Sequence, residues 1–231
     1  MGRSSSPPPT LDYVARTREL PVNLLFLLPW LLVYEMSLLG TRSRIDNAAG
    51  AWVRRLVGSM NRNEMLLASL AVCALLFAVL VRRIREAPRD RGIYGGMLLE
   101  GLVYGAVLGF VAKVMADALP LGRMVPLAAP LESLRRGVQG LGLAVGAGIF
   151  EELVFRGLVL TGLLLVLRHG FGTDRVTGKV LAVLASAWLF SAYHHWGLGG
   201  EPYQAAVFAF RFWAGVALGT IFVTRGLGIA A

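Results

Sequence analysis

The chain has 231 residues, of which 56% are hydrophobic and 16% are charged, and its mean hydropathy is +0.63. Soluble proteins average roughly 45–50% apolar and about 25% charged residues. An ordinary soluble domain is therefore excluded, and so is disorder, because disordered chains are poor in apolar residues. Cys73 is the single cysteine, which excludes a disulfide framework and a cysteine-rich zinc site.

The formal net charge is +9, carried by 21 Arg and 2 Lys. These basic residues cluster between apolar runs, which is typical of the loops that flank membrane spans. They do not cover one face as in proteins that bind nucleic acid, so no nucleic-acid partner is expected. The preference for Arg over Lys favours a GC-rich bacterial genome. The sequence therefore predicts a multi-pass protein of a bacterial inner (cell) membrane, in contact with membrane lipids.

The chain divides into three regions by composition. We expect a flexible N-terminal tail at residues 1–19, N-terminal transmembrane helices with an interfacial loop at residues 20–91, and the core of the protein at residues 92–231. Within the second region, Ile45–Asn63 is interpreted either as an interfacial amphipathic helix or as a loop.

Apolar stretches that approach the roughly 20 residues of a transmembrane helix follow one another along the chain. Six spans are predicted, at about Leu20–Leu39, Met65–Val81, Tyr94–Ala116, Val138–Leu167, Val180–His195 and Gln204–Thr224. Gly226–Ala231 has the composition of the beginning of a seventh. The predicted fold class is therefore all-α, a polytopic transmembrane helical bundle of about six to seven spans.

Glycines spaced four residues apart allow membrane helices to approach each other closely. Repeats of this kind are Gly101, Gly105 and Gly109, then Gly142 with Gly146, and Gly215 with Gly219. We interpret them as positions of helix packing.

Three charged residues lie within six positions of the fourth predicted span, at Glu151, Glu152 and Arg156. Each charge at membrane depth costs about 2.5–3.5 kcal/mol, so their presence requires an explanation. Glu152 and Arg156 are four residues apart and share one helix face, as an ion pair requires. Glu151 points about 100° away. It can either take a proton from water as a general base or belong to a buried charge cluster that fixes helix register.

Two histidines end the fifth predicted span. His194 follows Phe190 by four residues, so the two rings share a helix face, and His195 is its neighbour. Histidine is the side chain that most readily moves a proton near neutral pH. The alternative is a hydrogen-bonded histidine without a catalytic role.

Arg211 lies inside the sixth predicted span, among Phe and Trp residues. A lone cation at this depth is expected to pair with an acidic group of the bundle. The candidate partners are Glu35, Glu100 and the Glu151/Glu152 pair, and we expect Glu35 and Glu100 to be structural or interfacial.

The order of these motifs resembles that of a known family. Glu151-Glu152-x-x-x-Arg156 followed by Phe190-x-x-x-His194 is similar to the CAAX prenyl protease and bacteriocin-processing (CPBP) family, also called the Abi family. Its members are multi-pass, glutamic-type intramembrane proteases. The resemblance covers roughly residues 95–231 and includes the later helix with Phe208, Arg211, Gly215 and Gly219 and the turn at Arg225-Gly226.

The resemblance implies a role for each motif residue. Glu151 matches the glutamate that activates the attacking water, and His194 matches the histidine that positions this water and helps to deprotonate it. Glu152 and Arg156 match the partners that hold the first motif. The scissile carbonyl would be attacked directly, without an acyl-enzyme, and no cofactor would be needed.

The resemblance also implies a conical, water-filled cavity between the helices. Phe155, Phe190, His195 and Arg211 are the candidates for contacting substrate or lining this cavity. The implied substrates are peptides with C-terminal tails or sorting signals of membrane-associated proteins, cleaved near the membrane surface.

One family motif is not found in the sequence. The family has His-x-x-x-Asn or His-x-x-x-Asp on a helix after the Arg-Gly turn, where it stabilises the oxyanion, and the sequence stops at Ala231 about where that helix should bring its His. We expect either a truncated sequence or the loss of this side of the site, which would lower the rate about 10²–10³-fold.

Three alternatives to a metal-free protease are open. The first is a non-catalytic scaffold or immunity protein of the same family. The second is a transporter that uses the buried charges as an ion path, and the third is a metal-dependent protease. In the last case Zn²⁺ would be bound by Glu151, Glu152 and His194.

Overall fold

The structure is a computed structural model that describes only part of the 231 residues. Its described residues are 9–40, 91–118, 148–196 and 201–231, with isolated positions at 63, 64, 67, 71, 74, 81, 137, 145 and 146. Throughout these ranges the secondary structure is helical, and no strand occurs in them. Three described helices are long and apolar enough to cross a membrane, at Arg91–Ala112, Arg175–His194 and Ala205–Arg225. The chain is therefore a helical membrane protein.

The helices follow the predicted order. The α-helices of the described ranges are α1 (Pro9–Arg16), α2 (Leu20–Gly40), α3 (Arg91–Ala118), α4 (Thr161–Leu165), α5 (Arg175–His194), α6 (Ala205–Arg225) and α7 (Leu227–Ala230). Two π-helical segments, Leu153–Leu160 and Val166–Gly170, lie before and after α4. Residues 148–170 form one helical run, which we call the motif helix.

Most of the predicted spans that fall on described residues are confirmed as helices. The first, third, fifth and sixth correspond to α2, α3, α5 and α6, and the expected beginning of a seventh is α7. The segment Ile45–Asn63 and nearly all of the span Met65–Val81 lie outside the described residues. The predicted number of six to seven spans therefore stays a prediction.

Part of the predicted N-terminal tail is helical. Residues Pro9–Arg16 form a helix, and the following Thr17 is fully buried. The Tyr13 hydroxyl donates a hydrogen bond to Glu100 Oε2 of α3 at 3.2 Å. Contacts of this kind, which are not visible in the local composition, attach α1 to α3, while the flexibility of residues 1–19 stays a prediction.

Asp174 and Gly226 define where α5 begins and where α6 ends. Asp174 caps α5 by accepting hydrogen bonds from the backbone amides of Val176 at 2.9 Å and Thr177 at 3.1 Å. Hydrogen bonds from Thr177 and these amides lower the pKa of Asp174. α6 ends at Gly226. This residue has a φ of +99°, and a side chain there would collide with the Thr17 carbonyl.

The C-terminal turn is held by charged and polar contacts. Arg225 forms an ion pair with Glu100, with its Nη2 2.6 Å from Glu100 Oε2, and its guanidinium lies over the Tyr13 ring at 5.4 Å. The side chain of Asn23 accepts a hydrogen bond from the amide of Gly228. Glu100 thus has the structural role that was expected, because it bonds α1 and α6 to α3.

α5 and α6 form an antiparallel pair that packs closely through glycine. A methyl group added at Gly215 would lie 3.0 Å from the Cα of Ala187, and one added at Gly219 would lie 3.2 Å from Val183 Cγ1. The predicted packing role of Gly215 and Gly219 is confirmed. By contrast, a methyl group at Gly105 would meet no described atom within 4 Å.

This packing predicts opposite effects for two glycine substitutions. We expect Gly215→Ala to lower the free energy of unfolding by about 1–3 kcal/mol, because the backbone of Ala187 cannot move aside as a flexible side chain can. Gly105→Ala is the matched control and should be neutral or stabilising by up to about 1 kcal/mol, from helix propensity. Unfolding of both variants in one detergent measures this. Equal stability of the two would contradict the close approach of α5 and α6.

Candidate active site

The motif helix widens where its charged residues lie. Glu151 and Glu152 end an α-helical turn, and the π-helical segment Leu153–Leu160 follows directly. Hydroxyl groups satisfy carbonyls of this wider segment: Ser186 of α5 donates to the Phe155 carbonyl at 2.9 Å, and Thr161 donates to the Arg156 carbonyl at 3.1 Å. π-helical turns are rare and occur frequently at functional sites.

The predicted pair of Glu152 and Arg156 is confirmed. Glu152 Oε1 and Arg156 Nη1 are 2.9 Å apart, and their side chains are only 7% and 1% exposed. Arg156 Nη2 also donates to the Gly215 carbonyl of α6 at 3.5 Å, and the guanidinium lies 4.7 Å from the centre of the Phe190 ring of α5. One buried cation thus connects the motif helix, α5 and α6.

Glu151 lies on a different side of the motif helix. Its side chain is partly buried, and the charges of Arg156 and Arg211 both act on it. Among the described residues, no hydrogen bond or ion pair engages its carboxyl. The Glu151 carboxyl is therefore not neutralised by a direct partner among the described residues.

His194 is oriented by its own helix. Its Nδ1 lies 2.9 Å from the Phe190 carbonyl oxygen, and because a carbonyl only accepts, Nδ1 is the donor. In the neutral ring the lone pair is then on Nε2. The imidazole is partly buried and packs edge-on against Phe190, with the ring centres 5.0 Å apart.

Aromatic contacts bring the two motifs together. The Phe155 ring of the motif helix lies 5.2 Å from that of Phe190 and 5.7 Å from that of Tyr193, both on α5. Tyr193 in turn contacts His194, at 5.6 Å between ring centres. The contact between Phe155 and Phe190 therefore packs the helix that carries Glu151 against the helix that carries His194.

Arg211 pairs with a residue that was not among its expected partners. Its Nη2 donates to both carboxylate oxygens of Glu201, each at 2.9 Å, so the expected pairing with Glu35, Glu100 or the motif carboxylates is wrong for the direct contact. The hydrogen bond from Arg211 lowers the pKa of Glu201. Glu201 lies in the short connection between α5 and α6, where an acidic residue ten positions before Arg211 was the available signal.

The charge of Arg211 nevertheless reaches the motif residues. It acts electrostatically on Glu151 and on His194. Arg211 is linked to His194 through Glu201, whose side chain bonds to the Arg211 guanidinium and whose amide bonds to the His194 carbonyl.

His195 contacts residues that follow α5 in the sequence, Glu201 and Phe208. Its Nδ1 lies 3.2 Å from the Glu201 carbonyl oxygen, and its ring stacks on Phe208 with the ring centres 6.0 Å apart. The amide of Glu201 donates to the His194 carbonyl at 2.9 Å. These bonds hold Glu201 beside the end of α5, while the predicted role of His195 in a cavity stays a prediction.

Metal ligands are not gathered in the part of the chain that the structure describes. No three His, Cys, Asp or Glu side chains there could hold a metal ion together. Glu151, Glu152 and His194 thus do not form such a group, and one oxygen of Glu152 faces Arg156.

A cavity of about 360 Å³ lies between α2, α3 and α7. Its lining is mostly apolar and includes Leu27, Met97 and Ile149, and it contains neither Glu151 nor His194. The conical cavity expected at the motif residues therefore stays a prediction.

One comparison with known proteins identifies a family. Residues 135–231 match the family model described as "Type II CAAX prenyl endopeptidase Rce1-like". No curated protein and no solved structure matches the chain significantly. The matched segment contains the motif helix, α5 and α6, and with them every residue predicted for the site. Residues 135–231 of the chain are therefore similar to the type II CAAX prenyl endopeptidase family.

Proposed function

We propose that the chain is a glutamic-type intramembrane endopeptidase in which Glu151 and His194 activate one water molecule. The observation that carries this proposal is the pair of acceptors on neighbouring helices: a carboxyl free of direct partners among the described residues and an imidazole whose Nδ1 is engaged by the Phe190 carbonyl. A water between them can donate one proton to the carboxylate and one to Nε2. Its lone pair is then directed at a substrate.

The reaction balances without a further reactant. The water oxygen bonds to the scissile carbonyl carbon while Glu151 takes a proton from the water, and the π electron pair of the carbonyl moves to its oxygen. When the tetrahedral intermediate collapses, the C–N bond breaks and the proton passes from Glu151 to the leaving amine. His194 Nε2 accepts a hydrogen bond from the water and so orients it, and general acid–base catalysis by Glu151 contributes about 10²–10⁴-fold in rate.

Glu152 and Arg156 position this machinery. Arg156 is anchored to the Gly215 carbonyl of α6 and to the Phe190 ring of α5, so the turn that carries Glu151 has a fixed place relative to His194. Their proposed role is therefore to hold the first motif, and they do not touch the reacting atoms.

Exposed aromatic residues support a site near the membrane surface. Large aromatic side chains are exposed at the end of α5 where His194 lies, with Trp196 73% and Tyr203 67% exposed. Trp and Tyr concentrate at the boundary between membrane and water. We propose that the peptides cleaved are C-terminal tails or sorting signals of membrane-associated proteins, presented at the membrane surface.

A cleavage assay in proteoliposomes tests the proposed function. Lipid-anchored peptides are incubated with the parent chain, with His194→Gln and with His169→Gln, an exposed histidine at the opposite end of the motif helix that serves as control. We expect His194→Gln to lower kcat about 10²–10⁴-fold and His169→Gln to leave it unchanged. Full activity of His194→Gln would contradict the proposal and favour a scaffold.

Chelation separates the metal-free mechanism from the zinc alternative. We expect a strong chelator to leave the cleavage rate of the parent chain unchanged. Loss of activity with the chelator, restored by added Zn²⁺, would replace the proposed mechanism by the metal-dependent one.

A further inference from the structure

Buried polar atoms without a protein partner concentrate around the motif residues. Within the described ranges they are Glu152 Oε2, His195 Nε2, Gln204 Oε1 and Arg211 Nη1, with Arg225 Nη1 at the far end of α6. Buried polar groups in proteins are normally hydrogen-bonded. Three of these atoms, on His195, Gln204 and Arg211, lie where α5 ends and in the first turns of α6, and they present donors and acceptors to a polar guest.

Arg211 differs from the others in this set because its charge reaches both Glu151 and His194. Its guanidinium is divided between two environments. Nη2 donates to the two oxygens of Glu201, whose side chain is 55% exposed. Nη1 is buried and has no partner among the described residues.

The geometry of the guanidinium links these two environments. The group is planar and rigid, so the bonds from Nη2 to Glu201 also fix the direction of Nη1. Glu201 is itself held through its backbone, which bonds to His194 and to His195. Glu201 thus sets the position of a buried cationic donor beside the end of α5 that carries His194.

We propose that Arg211 Nη1 binds the scissile carbonyl oxygen of the substrate and stabilises the negative charge that develops on it, and that Glu201 is the positioning residue for Arg211. This inference rests on the proposed function. As the water oxygen bonds to the carbonyl carbon, the electron pair displaced onto the carbonyl oxygen meets a fixed positive charge. Arg211 keeps all its protons throughout, so the balance of the hydrolysis is unchanged.

The inference predicts an effect on kcat and little effect on KM. A donor that acts on the developing oxyanion contributes mainly in the transition state, and removal of one such donor costs about 10²–10³-fold in kcat. We expect Arg211→Gln to show this loss with KM changed less than about threefold. Arg211→Lys keeps the charge but not the fork, so its kcat should lie between those of Arg211→Gln and the parent chain.

Glu201→Gln tests the positioning role. The amide keeps the size of the side chain but holds the guanidinium less strongly, so we expect a loss in kcat smaller than that of Arg211→Gln, again with KM nearly unchanged. In the Arg211→Gln background, Glu201→Gln should have no further effect, because Glu201 acts only through Arg211.

The experiment uses the full chain in proteoliposomes, with Arg168→Gln as the matched control because Arg168 is exposed at the opposite end of the motif helix. Each variant is included only if its melting temperature in detergent matches the parent's, and if Arg211→Gln fails this criterion, Arg211→Lys and Glu201→Gln decide. Peptides with free and with amidated C-termini are compared. A loss confined to KM, and only for the free carboxylate, would overturn the inference by assigning Arg211 to the substrate's terminus.

Glu151→Gln is measured beside these variants to separate the two proposals. If Glu151→Gln is inactive while Arg211→Gln keeps kcat within threefold of the parent chain, the inference fails and the proposed function stands. If Glu151→Gln is fully active, or if the parent chain cleaves no peptide, both fail.

Discussion

Glu151→Gln is expected to lower kcat about 10²–10⁴-fold without unfolding the protein. The amide has nearly the size of the carboxyl but cannot accept the proton of the attacking water, and this range is what a general base contributes. Because no described residue bonds directly to the Glu151 carboxyl, the substitution breaks no ion pair and should leave the melting temperature unchanged. Peptide cleavage in proteoliposomes, with thermal unfolding in detergent, measures both quantities.

Glu19→Gln is the matched control for this substitution. Glu19 is exposed and lies between α1 and α2, away from the motif residues, so the same loss of one negative charge should leave kcat unchanged. Equal activity of Glu151→Gln and Glu19→Gln would exclude Glu151 as the base. A loss of activity accompanied by a large fall in melting temperature would assign Glu151 to the buried charge cluster that the sequence left as an alternative.

Arg156→Met is expected to destabilise the protein by about 3–5 kcal/mol, the range for removing one partner of a buried ion pair. The Arg156 side chain is 1% exposed, and its removal leaves the carboxylate of Glu152, 7% exposed, without its counter-ion. The contacts with the Gly215 carbonyl and the Phe190 ring are lost as well. Unfolding at equilibrium in mixed micelles measures the change.

A second variant separates the unpaired charge from the lost contacts. In Glu152→Leu/Arg156→Met both charges are absent, and replacing a buried ion pair by apolar residues is often neutral or stabilising. We expect the double variant to recover most of the stability that Arg156→Met loses. If the double variant is as unstable as Arg156→Met, the cost lies in the contacts of Arg156 with α5 and α6. A change below about 1 kcal/mol for Arg156→Met would contradict the buried pair.

Local patterns in the sequence were sufficient for the features that depend on one helix. Helix periodicity predicts the pair of Glu152 and Arg156, because residues four apart share a face. Apolar length predicts α2, α3, α5 and α6, because a spanning helix must satisfy its backbone within a lipid environment. The glycine repeat of α6 predicts close packing in the same way.

Features that depend on contacts between distant segments were not predictable. The partner of Arg211 is Glu201, and the choice between it and the other carboxylates depends on the position of Glu201 beside the end of α5. The helix α1 is ordered by Tyr13 and its contact with Glu100, 87 residues away in sequence. The π-helical turns around Phe155 depend on the Ser186 hydroxyl, which a single helix does not reveal.

The glycines of α3 show the limit of the spacing argument. Gly105 and Gly109 repeat with the same period as Gly215 and Gly219, yet a methyl group at either of them would meet no described atom within 4 Å. Spacing alone identifies a surface that permits close approach. It does not identify which helix, if any, lies against that surface.

A double-mutant cycle between Glu151 and His194 tests most directly whether the two residues act on the same water. The kcat of Glu151→Gln, His194→Gln and the double variant is measured against the parent chain in proteoliposomes. Residues that act as one unit are strongly non-additive, so the account predicts that the double variant is no slower than the slower single variant. Losses that multiply in the double variant would show that a carboxyl and an imidazole work independently, and would contradict the account.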